Sequence, residues 1–102
     1  MRRKILVAWV VLSLIILGAC GGDSPQEARG LIVDVQAGSI IEWETLTLRL
    51  PDGKERLFLR GAEVDLRFWR ASHLREHMAS AQPVTVTYEK SDKGLIATRI
   101  SD

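Results

Sequence analysis

Two histidines four residues apart with a glutamate between them, His73, Leu74, Arg75, Glu76 and His77, are the sharpest chemical signal in the chain. On a helix, positions i and i+4 share one face, so both imidazoles can approach a single zinc ion while the glutamate takes a proton from a bound water. The site would still need a third protein ligand. Only 25 residues follow His77, and their acids, Glu89, Asp92 and Asp102, fall in a predicted strand, a turn and the terminus. A second constellation is Arg67, Phe68, Trp69 and Arg70, two aromatic rings between two guanidinium groups. It can serve as a stacking platform for a ligand or nucleotide. Alternatively Phe68 or Trp69 plugs the end of a barrel while the arginines pair with Glu63 and Asp65, and this reading is preferred because a small core can spare few large rings. Trp43, between Glu42 and Glu44, leans toward packing in the same way. No Ser, His and Asp arrangement and no phosphate-cradling glycine loop can be assembled, and nothing singles out a pair among the 13 acids for hydrolysis.

The His73 to His77 spacing matches the H-x-x-E-H motif and so resembles the inverted zinc peptidases. Those enzymes add a third ligand from a distant helix and a large substrate chamber, and this chain has room for neither. The expectation is a protein without catalysis, cofactor or resident metal. The alternative is a metal-binding protein or metal-dependent enzyme using the His73/His77 pair.

The third reactive residue is the lone cysteine, Cys20, which excludes a disulfide framework within the chain. Ahead of it, Arg2, Arg3 and Lys4 precede an apolar run from Ile5 to Leu17 interrupted only by Ser13, and then come Gly18 and Ala19. This charged, apolar, small-residue order is that of a secretory signal. The 15 residues from Ile5 to Ala19 would cover about 22 Å as a helix, short of the about 30 Å of a bilayer core. The run Leu17, Gly18, Ala19, Cys20 resembles the lipobox of bacterial lipoproteins. The resemblance implies a diacylglycerol on the Cys20 sulfur and cleavage before that residue. It places the mature chain on the extracytoplasmic side of the cell membrane or outer membrane, where two or three acyl chains hold stably and one does not. Gly21 at the following position matches the outer-membrane class where two membranes exist.

The chain therefore divides into a signal peptide (1–19), a lipidated cysteine with a flexible tether (20–29), and a domain (30–102). At 102 residues and 46% apolar it has room for one small domain. Of its 14 basic residues three precede Cys20, leaving 11 against 13 acids, an acidic balance that argues against nucleic acid as a partner. Within the domain, Leu31, Val33 and Val35 alternate with Ile32 and Asp34 as in a half-buried strand, ending near Ala37, Gly38 and Ser39. In the next run, from Ile40, Leu46, Leu48 and Leu50 share a face and Trp43 has the wrong parity to join them, which predicts a bulge or kink near Glu44. Pro51, Asp52 and Gly53 make a turn into a third strand, Glu55 to Arg60.

Ser72 can cap a short helix carrying Leu74, Met78 and Ala81 on its apolar face, with His77 bordering the core and His73 at the rim. Pro83 ends it, and Val84, Val86 and Tyr88 start a last hairpin that turns at Ser91 to Gly94 and returns through Leu95 to Ile100. Three strands, a helix and two strands describe a mainly β, five-stranded barrel of the OB type with one short helix between strands three and four. The stretch from Ser72 to Met78, with Pro83 to Glu89 and Gly94 to Asp102, also resembles the closing half of small secreted bacterial proteins of no assigned activity. The functional expectation is a lipid-anchored extracytoplasmic binding or interaction module. Its candidate contact residues are Arg67, Phe68, Trp69 and Arg70, and its candidate partner is an envelope protein or polymer.

Overall fold

The computed structural model describes residues 25–102, so the expected signal segment and Cys20 lie outside the described residues. Five strands and one helix follow one another: β1 (Gln26–Ala37), β2 (Trp43–Arg49), β3 (Glu55–Arg60), α1 (Ala71–Ala79), β4 (Val84–Ser91) and β5 (Gly94–Ser101). They close into a barrel in the order β1-β2-β3-β5-β4, with β4 paired back onto β1. All pairings are antiparallel except β3 with β5. This is the mainly β, OB-like barrel that the pattern predicts, with its helix between β3 and β4.

Three one-residue bulges decide which side chains face inward. Glu44 is the extra residue opposite Gln36 and Ala37, and it brings Trp43 and Leu46 to the same interior despite their opposite parity. Val33 is extra in β1, so Ile32 and Val35 both point inward. This corrects the expected face: Leu31 and Val33 do not lead into the core, and Leu31 is 39% exposed. Thr98 is extra in β5 and lets Ala97 and Ile100 share the interior. Bulges of this kind sharpen strand coiling, which a barrel this small needs in order to close.

β1 also begins earlier than expected. Gln26 to Gly30 pair with Tyr88 to Val84 of β4, so residues 26–29 are strand and not tether. Ala28 and Gly30 are buried while Gln26, Glu27 and Arg29 are exposed, a half with no large apolar side chain to announce it. At Gly30 the strand passes from β4 to β2, and any Cβ there would collide with the Arg49 carbonyl oxygen. The β2–β3 turn is as expected: Gly53 has φ of 89°, its N–H donates to the Leu50 carbonyl at 2.8 Å, and Asp52 Oδ1 accepts from the Lys54 N–H at 2.9 Å.

Trp43, Leu46, Leu48, Phe58, Leu74, Val84 and Val86 are fully buried and form the centre of the core. One part of the interior is closed by a polar chain, in which Arg56 Nη1 donates to Tyr88 Oη at 2.7 Å and Tyr88 Oη donates to Gln26 Oε1 at 3.0 Å. α1 packs on β1 through Leu74 and the partly buried Met78. Ser72 does not cap it. The preceding residue is Arg70, and the β1–β2 loop supplies the acceptors instead, the Ile41 and Ile40 carbonyls taking the N–H groups of Ala71 and Ser72 at 2.9 and 3.0 Å. Ala81 lies beyond the helix, exposed, at φ of 56°, where Gln82 N–H donates to His77 O and Ala81 N–H to Met78 O.

Candidate functional site

The long β3–α1 connection brings both sequence constellations to one place. Trp69 turns inward and its backbone carbonyl accepts the indole N–H of Trp43 at 2.9 Å, a buried hydrogen bond tying the Trp43 side chain to the loop backbone. Trp43 is held at its backbone as well, where its carbonyl accepts from Arg60 Nε at 2.7 Å. Trp69 is therefore the plug. Phe68, one residue earlier, points the other way and is 50% exposed, meeting Trp69 edge-on at 4.9 Å between ring centroids.

The histidines complete an aromatic cluster. His73 stacks flat on Trp69 at 4.9 Å with a 6° interplanar angle, and His77 meets both rings edge-on, at 5.5 Å from Trp69 and 4.8 Å from His73. His73 Nδ1 is 2.7 Å from the Phe68 carbonyl, which can only accept, so this nitrogen carries the proton. The i, i+4 spacing thus clamps the loop to the helix: His73 holds Phe68 through its backbone and Trp69 through its ring. His77 is buried, with Nε2 facing Asp102 Oδ2 at 3.5 Å and Nδ1 enclosed without a partner.

Each imidazole directs one nitrogen at an oxygen of the fold, His73 Nδ1 at the Phe68 carbonyl and His77 Nε2 at Asp102. Among the described residues no group of three His, Cys, Asp or Glu side chains is placed to hold a metal ion. His77 borders the core and His73 is partly exposed, as the helical face predicts.

The two arginines do not flank a shared ligand site. Arg67 is 96% exposed at its side chain, and its backbone N–H and Nε approach Asp65 Oδ1 at 3.0 and 3.7 Å. Arg70 Nη1 donates to the Arg67 carbonyl at 2.7 Å and so braces the turn. Of the four candidate contact residues, Trp69 belongs to the core, Arg70 to the loop, and Phe68 and Arg67 to the surface. Phe68 stands over a cleft of about 270 Å³ walled by Trp69 and Ile100 and edged by Glu63, Asp65, Thr98 and Arg99. Glu63, Thr98 and Arg99 could not be assigned to it from sequence, because it forms where the β3–α1 loop folds over β5.

This arrangement offers a half-exposed ring, an apolar wall and charges of both signs around a shallow recess. That suits recognition of an apolar group with polar edges. The Thr98 hydroxyl at the edge of the recess donates to the Thr87 carbonyl at 3.2 Å. No family model matches the chain, and no curated protein or solved structure is significantly similar to it; what is established is the fold itself, a small five-stranded β-barrel.

Proposed function

We propose that the chain is a lipid-anchored extracytoplasmic binding or interaction module without catalysis, fastened at Cys20 and making its contact around Phe68. The observation that carries the contact is the opposite fate of two neighbouring rings. Trp69 is sealed beneath the loop, while Phe68 is left half in water above a cleft. A ring held out by a braced loop, with its backbone pinned by His73, is a preorganised contact with little ordering cost. Anchoring is supported by the order of charges, apolar run and small residues before Cys20, and it would confine the domain to encounters with envelope components.

The test replaces Phe68 with a photo-crosslinking phenylalanine analogue in the full chain, irradiated in intact cells. The expected result is a discrete adduct with an envelope protein or polymer, absent when the analogue is placed at Lys93 in the distant β4–β5 turn. A chain recovered without adduct under all growth conditions contradicts the reading. The metal alternative rests on the His73 to His77 proximity alone, and equilibrium dialysis with zinc distinguishes it. We expect no zinc retained at micromolar concentrations, and stoichiometric retention lost in His73→Ala would favour metal.

A further inference from the structure

Where β1 leaves β4 for β2, the barrel wall carries a second recess of about 310 Å³, sharing no residue with the Phe68 cleft. Leu31, Leu50, Pro51 and Pro83 make its floor and sides, and Arg29 and Arg49 stand at it. Leu31 is left exposed here by the Val33 bulge. Arg29 hydrogen-bonds Thr85 Oγ1 at 2.9 Å and enters no ion pair among the described residues, while Arg49 is shared with Glu55 at 2.9 Å on an exposed edge. An apolar floor beside guanidinium groups suits a surface that is apolar beneath and anionic above.

We propose that this recess is the face by which the barrel lies against an anionic lipid surface, with headgroup phosphates on Arg29 and Arg49 and the Leu31 and proline edge at the interfacial layer. The inference rests on the lipid anchor at Cys20. It follows from how little chain separates that residue from β1. Residues 21–25 can span at most about 18 Å, and Leu31 lies only about 17 Å farther along the strand that the tether enters. The barrel is thus kept close to the headgroups whatever its orientation. Under that restraint a patch far too weak to recruit a free protein can still choose which face turns inward, because its encounter with lipid is intramolecular.

The choice is local, since the chain from Cys20 onward is acidic overall. Among the other exposed apolar residues, Ile40 and Ile41 adjoin Glu42 and Glu44, Phe68 shares its cleft with Glu63 and Asp65, and Leu57 stands outside either recess. Glu27, Asp52 and Glu55 neighbour the second recess in sequence, but only arginines supply charge to its lining. Arginines beside an apolar surface should favour phosphate oxygens in a manner weakened by salt.

The experiment takes the full mature chain from its own envelope into nanodiscs of phosphatidylcholine, with or without phosphatidylglycerol, carrying a gadolinium-chelating lipid. Methyl resonances report distance from the headgroups. The expected result is severalfold stronger broadening of Leu31 and Leu50 than of Ile40 and Ile41 in anionic discs, a contrast that disappears in high salt and in Arg29→Glu. Leu31→Ser should weaken it independently, and an unchanged Val86 methyl shift checks that each variant is folded. Equal broadening on both faces, or a contrast indifferent to lipid charge, overturns the proposal while leaving the anchor intact. Failure of the chain to co-migrate with the discs overturns both.

Discussion

The two recesses of this barrel dispose of apolar surface in opposite ways. Around Trp69, rings face rings and every edge of the loop is tied down, by His73 to the Phe68 carbonyl, by Trp43 to the Trp69 carbonyl and by Arg70 to the Arg67 carbonyl. Only Phe68 is left over. Around Arg29, a leucine and two prolines lie open on the wall, and nothing in the described chain covers them. In a domain of this size the apolar residues are few, so each one left in water forgoes stabilisation that the core could have used. The aromatic region spends nearly all of its surface on the fold, and the β1 corner leaves a contiguous remainder. The contrast separates residues that hold the barrel from residues free to meet something else.

Substitutions should reproduce that division in their size. Leu48→Asp or Val86→Asp places a carboxylate among fully buried side chains, and the cost of several kcal/mol for an unpaired buried charge should abolish the cooperative thermal transition seen by circular dichroism. A variant that still melts cooperatively near the wild-type temperature would contradict the inward faces of β2 and β4. Next comes Trp43→Ala, expected to cost about 3–5 kcal/mol as a large cavity opens under the loop. Trp43→Phe keeps most of the volume but strands the buried Trp69 carbonyl, and should cost about 1–3 kcal/mol in chemical denaturation. If the Phe variant is as stable as wild type, the indole hydrogen bond does not fasten the loop.

Smaller effects sharpen the comparison. Ala81→Gly relieves the left-handed φ of 56° after α1 and should raise stability by roughly 0.5–1 kcal/mol, the steric relief exceeding the entropy that glycine adds to the unfolded chain. Phe68→Ala and Arg29→Glu remove exposed side chains and should each change unfolding free energy by no more than about 0.5–1 kcal/mol. Their signatures lie elsewhere, in the crosslinked partner for Phe68 and in the orientation on lipid for Arg29. A large loss of stability from either would move that residue to the structural side of the comparison.

Much of the barrel could be read before its coordinates. Pro51, Asp52 and Gly53 carry the conformational demands of their turn in their own chemistry, and the parity conflict between Trp43 and Leu46 requires the irregularity found at Glu44. The first half of β1 was hidden because its buried residues, Ala28 and Gly30, are small, and its strand character comes from pairing with β4. The inward face of its second half was hidden for the opposite reason. Leu31, Ile32 and Val33 are all apolar, so alternation cannot choose among them, and the Val33 bulge makes the choice. In the site, the separation of Trp69 from Phe68 follows from core demand, but which ring is buried depends on the Trp43 indole finding a carbonyl. The enclosed Nδ1 of His77 and the approach of its Nε2 to Asp102 depend on how the chain after β4 passes the helix, which no local pattern encodes.

Both proposed contacts rest on the proposal that Cys20 fastens the domain to a membrane. The most direct test grows cells with an alkyne-bearing fatty acid and follows the label and the intact mass of the chain. The account predicts a labelled wild-type protein whose mass corresponds to a chain starting at Cys20 with its acyl groups, and a Cys20→Ala form carrying no label. A wild-type chain that is unlabelled, or that retains residues 1–19 in its mature form, would contradict it.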